Sequence, residues 1–421
     1  MDVYYSPDTV ISLTLTMDSS EWQQLRTQQP QGGKCNNDFI GDRYSWFEAD
    51  LLTIEVSDAG GNAVAEYQYP DIGIKKKSYC GSIDSEKPSL NVDLAKYDDG
   101  NEEKAEAEIG TTRLTWNNSA QDSTVLKQCF GYYLFRLAGL PASRCNFSSL
   151  SVYTPDTGTT EYVGIYVNVE PIKKKYLKHE ANGFTAGDNG NLYEISTHDF
   201  DTGGLTYDEY KGYSDEYVRQ DFAWATDEMD KNLLDGILSS VNVEEFIRYW
   251  AMEAIVQHRD GYSRNITNAY IYNDNDLTDA TSLSQANINF SFLPWGLDKI
   301  MDSNSCWQIY CCARVAQGLF ESSTYLQQVN QSIEALLAEF AAQQAQVDQY
   351  LGSLATSANA TWTGEDICLG LNDGQIDRSA SNLRAWFSAA LTTAVSSIDG
   401  GANNSCWSDC SNGPAVPCNQ Q

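Results

Sequence analysis

The sequence predicts an α+β protein of two lobes, and three observations carry that reading. Runs that alternate apolar and polar residues crowd the first 180 positions, as half-buried strands do. Apolar stripes at helical spacing dominate residues 181–400, and a Gly-, Asn- and Cys-rich tail follows over 401–421. The expected organisation is a mainly β N-terminal lobe (1–180), a mainly helical C-terminal lobe (181–400) and a tail tied down by disulfides.

In chain order, Val10 to Met17 reads as a strand and is followed by a helix capped at Asp18 or Ser19. Leu51 to Val56 and Asp71 to Ile74 are further strands. Next come the turn Gly81-Ser82 and then Lys87, placed on a second strand. Such a turn can set backbone amides and one cation over a nucleotide's phosphates; an ordinary hairpin with surface lysines fits the spacing equally well. Thr124 to Leu140 has one apolar face and stops at Gly139-Leu140-Pro141, as a helix does. The strands Phe147–Tyr153 and Glu161–Glu170 follow. Glu170 is placed either to pair with Lys87 or to balance Lys173–Lys175. Residues 183–215, rich in Gly, Asp and Tyr, read as an irregular insertion. Helical spacing then runs through Tyr217–Trp224, Leu233–Ser239, Val243–His258, about Tyr325–Leu354 and about Ala380–Ile398.

Composition narrows the function classes. A chain of 421 residues with 42% hydrophobic and 12% aromatic residues has the makings of a folded core. Its net charge of −31 repels nucleic acid and anionic membranes, so neither is an expected partner. No apolar run is long enough to span a bilayer. Eleven cysteines and only three histidines argue for disulfides over zinc. All eleven, Cys306, Cys311, Cys312, Cys406, Cys410 and Cys418 among them, stand outside any C-x-x-C pair. Sequons at Asn117, Asn146, Asn265, Asn289, Asn330, Asn359 and Asn403 are compatible with a secretory route. Met1 leads straight into Asp2-Val3-Tyr4-Tyr5, so a secreted location implies a leader already removed.

The chemistry concentrates between Gln257 and Asp302. Gln257-His258-Arg259-Asp260-Gly261-Tyr262 follows a helix, with Asn265 and Asn268 behind it. Tyr270-Ile271-Tyr272 and the alternating run Ile288–Leu293 then lead to Pro294-Trp295-Gly296-Leu297-Asp298. An Asp after a helix, an Asn, a hairpin and a second Asp make a layout suited to phosphoryl transfer. One carboxylate orients the acceptor hydroxyl, while an amide and the other carboxylate hold a metal. Hard oxygen ligands of this kind suit magnesium or manganese. In so acidic a chain, an Asp before Gly also reads as a turn residue.

The sequence resembles the CotH family of secretory atypical protein kinases in four stretches. These are Ile72-Gly73-Ile74 through Lys87-Pro88-Ser89; Tyr133 to Ala142; Gly164 to Glu170; and Asp260-Gly261-Tyr262 through Asn268-Ala269-Tyr270 to Asp298. The resemblance implies an atypical protein-kinase-like two-lobed fold, ATP with magnesium or manganese as cofactors, and secretory or cell-surface proteins as substrates phosphorylated on Ser or Thr. It assigns Lys87, with Gly81 and Ser82, to the nucleotide phosphates and Glu170 to bracing the lysine or a metal. Asp260 becomes the catalytic carboxylate, and Asn268 and Asp298 become metal ligands. Ordinary kinase spacing would choose Asn265 as the ligand; the Asn-before-aromatics pattern chooses Asn268, and Asn265 also lies in a sequon. A further departure is Gly296, which stands where the family's Trp-Asp-x-Asp has its first Asp.

Two other classes compete. A non-catalytic surface adhesin or structural protein on the same scaffold is favoured by Gly296 and the acidic surface. An acidic calcium-loaded matrix protein needs clustered acidic loops, and Asn273-Asp274-Asn275-Asp276 is too short for an EF-hand.

Overall fold

The computed structural model describes residues 3–34, 42–78, 80–195, 199–200, 220–275, 287–301, 313–362, 366, 369 and 371–399. They form two compact units. The first comprises Met1–Phe130, Ser143–Pro171 and Gln346–Arg384, and the second Gly131–Ala142, Ile172–Ala345 and Ala385–Gln421.

Seven strands build the first unit: β1 (Thr9–Thr16), β2 (Phe47–Asp58), β3 (Ala63–Lys76), β4 (Leu90–Asp93), β5 (Arg113–Asn117), β6 (Cys145–Thr154) and β7 (Thr159–Val169). They close into a barrel in the order β1-β2-β3-β4-β5-β7-β6. All neighbours are antiparallel except β1 and β6, whose parallel pairing makes the closure. Side chains alternate across each strand, so one set per strand turns inward. Leu13 is paired with Ile54 on one side and Leu150 on the other, and all three are buried. A shift in register between Leu150 and Ser151 bends β7 at Gly164, whose φ of +130° is one that a side chain rarely tolerates. Helices α1 (Ser19–Thr27) and α2 (Asn101–Glu108) belong to this unit, as does the start of α3 (Lys127–Leu137). A disulfide between Cys129 and Cys145 ties α3 to β6.

The second unit holds a three-stranded antiparallel sheet of β8 (Asn191–Ile195), β9 (Ala269–Asn273) and β10 (Phe290–Pro294), in the order β10-β9-β8. Helices α4 (Lys174–Lys178), α5 (Gln220–Lys231), α6 (Leu233–Ser240), α7 (Val243–Val256), α8 (Tyr262–Asn265), α9 (Arg314–Phe320) and α10 (Ser323–Ala342) accompany it. Phe292 of β10 fixes α7 on the sheet, with ring centroids 4.7 Å from Phe246 and 5.7 Å from Tyr249. Two further helices, α11 (Gln344–Thr361) and α12 (Gln375–Asp399), follow.

This architecture corrects the expected two-lobed kinase-like fold, although the α+β class holds. The early strands close a mixed barrel instead of forming an open lobe sheet. The C-terminal helices do not complete a helical lobe either: most of α11 and the start of α12, as far as Arg384, belong to the barrel unit. Ser357 of α11 donates to the Thr9 carbonyl of β1 at 2.7 Å. The physical reason is edge pairing. β1 and β6 each present an unpaired edge, and joining them removes both; alternation within a strand reports which face is buried and says nothing about closure.

Smaller differences follow. The single helix expected over Tyr325–Leu354 is α10 and α11, broken at Gln343. Part of the expected irregular insertion is β8. Residues 196–198 and 201–215 of it, the start of the helix expected at Tyr217, Cys306, Cys311, Cys312 and the tail with Cys406, Cys410 and Cys418 lie outside the described residues. Among the described residues, no helix is long and apolar enough to cross a membrane.

Candidate active site

In the second unit, α7 delivers its C-terminus at Gln257, a left-handed cap with φ 56°. The chain then wraps back on Glu253, which is buried in the last turn of α7. Glu253 Oε1 accepts from the Tyr249 hydroxyl (2.8 Å) and the Tyr262 N–H (2.9 Å), and Oε2 accepts from the Ser263 N–H (2.9 Å). Burial alone would raise the Glu253 carboxyl; His258, whose Nδ1 lies 3.5 Å away, and the bonds from Ser263 outweigh it and hold the group below its ordinary value. Asp260 sits on this turn, its side chain 32% exposed and 3.2 Å from Lys299 Nζ.

The β9–β10 hairpin brings the remaining acidic motif to the same unit. Ala269 pairs with Pro294, and the next step of the ladder is a bond from the Trp295 N–H to the Asn268 carbonyl (3.0 Å). Asn268 is left-handed, with φ 50°, a conformation that Asn tolerates better than most residues. Gly296 is left-handed too, and a Cβ there would lie 2.4 Å from Asn268 Oδ1. The position that departs from the family's Trp-Asp-x-Asp is therefore one where the Asn268 amide occupies the space of a side chain. Asp298 follows two residues later, close enough to Tyr132 that burial first and the Asp298 charge second push that phenol well above its ordinary value. Asn265 closes the short α8, three residues before the hairpin.

Asn268 and Asp298 thus offer an amide and a carboxylate oxygen at the two ends of one hairpin. That donor chemistry suits magnesium or manganese, which take few protein ligands and fill the rest of their shell with water and phosphate oxygens. Among the described residues, no group of three or more His, Cys, Asp or Glu side chains is placed to hold a metal by itself.

The phosphate-side candidates lie in the first unit. Gly81 and Ser82 form a 3-10 turn, Cys80–Ser82. The turn is pinned by the buried Lys76, whose Nζ donates to the carbonyls of Arg26 (2.9 Å), Gln28 (3.1 Å) and Ile83 (2.7 Å). Lys87 precedes β4 instead of lying on it. Its side chain is fully buried: Nζ donates to Asp366 Oδ2 at 2.6 Å and lies 5.0 Å from the Tyr166 ring centroid. The Asp366 side chain, also fully buried, accepts from the Ile165 N–H (3.0 Å) and the Leu369 N–H (2.8 Å). A Cβ on Gly164 would come within 2.1 Å of Asp366 Oδ2, so this approach requires glycine. Glu170 binds Arg144 and not Lys87, accepting from Nε at 2.9 Å and from a terminal guanidinium nitrogen at 2.5 Å.

Three functional candidates escaped the sequence reading. Lys299 follows Asp298 directly but carries no motif. Glu253 had a signal, since it is a lone carboxylate within the buried run Tyr249–Val256. Asp366 had none, being one acidic residue in a turn-rich stretch.

Residues 78–392 match the family model described as CotH kinase protein. That span includes every one of these candidates. No curated protein matches the chain.

Proposed function

The chain belongs to the CotH kinase protein family, and from that membership we propose that it transfers the γ-phosphate of ATP to Ser or Thr hydroxyls of secretory or cell-surface proteins. The observation that carries the reading is the pair of turns in the second unit. One presents a half-exposed Asp260 beside Lys299, and the other joins Asn268 to the Gly296–Asp298 segment.

Phosphoryl transfer asks the protein mainly to position groups and neutralise charge. In this reading Asp260 accepts a hydrogen bond from the acceptor hydroxyl and aims its oxygen at phosphorus. Lys299 offsets the negative charge that gathers there. Asn268 and Asp298 would hold a magnesium or manganese ion, whose chemistry there would be to neutralise phosphate charge. Lys87, with the Gly81-Ser82 turn, is assigned to the nucleotide phosphates, and Glu170 braces through Arg144. With Lys87 fully buried on Asp366, phosphates meet its ammonium only when that contact opens.

The burial of Lys87 is also the observation that favours a second reading, a binding-only adhesin in which the pair is a permanent structural clip. Incubating the protein with γ-labelled ATP, magnesium or manganese and a panel of surface proteins separates the two. Transfer that disappears in folded Asp260→Ala and Asp298→Ala variants supports the kinase. Full transfer in both variants would refute the assigned roles, and no transfer and no ATP-dependent thermal shift in the wild type would favour the adhesin.

A further inference from the structure

The turn that presents Asp260 is built around one buried carboxylate. Residues 258–263 leave α7, reverse and re-enter as α8, and three backbone N–H groups of that reversal end on Glu253. Its backbone carbonyl accepts the His258 N–H (2.9 Å), its Oε1 the Tyr262 N–H and its Oε2 the Ser263 N–H, both at 2.9 Å. The Tyr249 hydroxyl, one helical turn earlier, steers the carboxylate from behind at 2.8 Å. The intervening residue must be glycine, because a Cβ on Gly261 would lie 2.3 Å from Glu253 Oε1 and 2.6 Å from His258 Nδ1. Asp260 sits at the outer corner of this loop, pointing to Lys299 instead of inward.

We infer that Glu253 is the positioning residue for Asp260: its carboxylate fixes the turn, and so the direction in which the Asp260 carboxylate is presented. The inference rests on the reading of Asp260 as the group that orients the acceptor hydroxyl.

The donor geometry explains why a carboxylate is required. Two consecutive backbone N–H groups approach two different side-chain oxygens, and only a carboxylate accepts at both. A glutamine has the same shape but presents an NH2 to one of the two donors, which leaves a buried N–H facing another donor. The turn then shifts by a fraction of an ångström, and displacements of that size at a reacting centre are felt in rate. Binding of ATP and metal, assigned to other residues, is not touched.

The test compares wild type with Glu253→Gln, Glu253→Asp and Tyr249→Phe, measuring kcat, KM for ATP, and the thermal shift produced by ATP with manganese. Glu253→Gln is expected to lower kcat at least tenfold while KM and the thermal shift stay within twofold. Glu253→Asp, which keeps two acceptor oxygens on a shorter arm, is expected to recover part of that loss. Tyr249→Phe removes one tie and leaves the others, so kcat falls two- to fivefold; this variant decides the matter if Glu253→Gln does not fold. A folded Glu253→Gln with kcat within twofold of wild type overturns the inference and leaves the kinase reading standing, as does a loss that appears in KM and thermal shift together. A wild type without transfer overturns both.

Discussion

Replacing Asp366 with asparagine tests the most buried charge pair in the first unit. The substitution keeps the shape of the side chain but removes the negative charge 2.6 Å from Lys87 Nζ, with both side chains fully buried. It also presents an NH2 to one of three donors: the Lys87 ammonium, the Ile165 N–H or the Leu369 N–H. Breaking a buried ion pair by removing the charge of one partner costs about 3–5 kcal/mol. In a unit of roughly 200 residues each kcal/mol moves the thermal midpoint by about 2–4 °C, so Asp366→Asn should melt on the order of 10 °C below wild type. Removing both charges together, in Lys87→Met with Asp366→Leu, should recover most of the loss, because the desolvation penalty goes with them. Calorimetry and urea titration of the four proteins in this cycle give the coupling energy directly. A loss below about 1 kcal/mol for Asp366→Asn, or a double variant no more stable than the single, would refute the claim that the pair is closed and dry.

Two other outcomes follow from local geometry. Gly296→Ala places a Cβ at a left-handed residue and 2.4 Å from Asn268 Oδ1; it should cost about 1–2 kcal/mol and abolish the manganese-dependent thermal shift with ATP, and an unchanged shift would show that Asn268 holds no metal. Glu245, in the first turn of α7, is pushed up to about 7, chiefly by burial and less by the Asp274 charge, against the bonds from Ser291 and Phe292. A folded-state value raised above the ordinary carboxylate range contributes stability that is full below about pH 4 and is lost as pH rises through 7. Glu245→Gln should therefore gain about 3 kcal/mol on wild type between pH 4 and pH 8, read as a difference in urea midpoints that widens with pH; parallel profiles would contradict it.

Much of the fold was legible where periodicity decides it. β1, β2, β6 and β7 stand within a few residues of their expected runs, as do α7 and the end of α3 at Gly139, because each is a sustained apolar run bounded by turn or cap residues. Barrel closure was not legible, since parallel pairing of Ile11–Thr16 with Ser148–Tyr153 depends on residues more than a hundred positions apart. β3 was seen only at its end, because exposed and half-buried residues from Ala63 to Gln68 blur the alternation. In the candidate site, ordinary kinase spacing pointed to Asn265 and the family resemblance to Asn268, and hairpin register explains why Asn268 meets Gly296. Glu170 was expected either to pair with Lys87 or to balance Lys173–Lys175, and it binds Arg144 instead. The partner of Lys87 in the structure is Asp366, chosen by the bulge at Gly164 that opens the barrel wall to a distant carboxylate.

That distant carboxylate imposes an order on biosynthesis. Lys87 and Asp366 are 279 residues apart, so at ribosomal rates of about 5–20 residues per second the lysine emerges on the order of half a minute before its counter-charge exists. Throughout that interval the nascent barrel lacks the Asp366 contact, and residues 172–345 of the second unit are made before it can form. The Lys87–Asp366 contact is thus a late event in chain order, made only after all seven strands of the barrel have emerged.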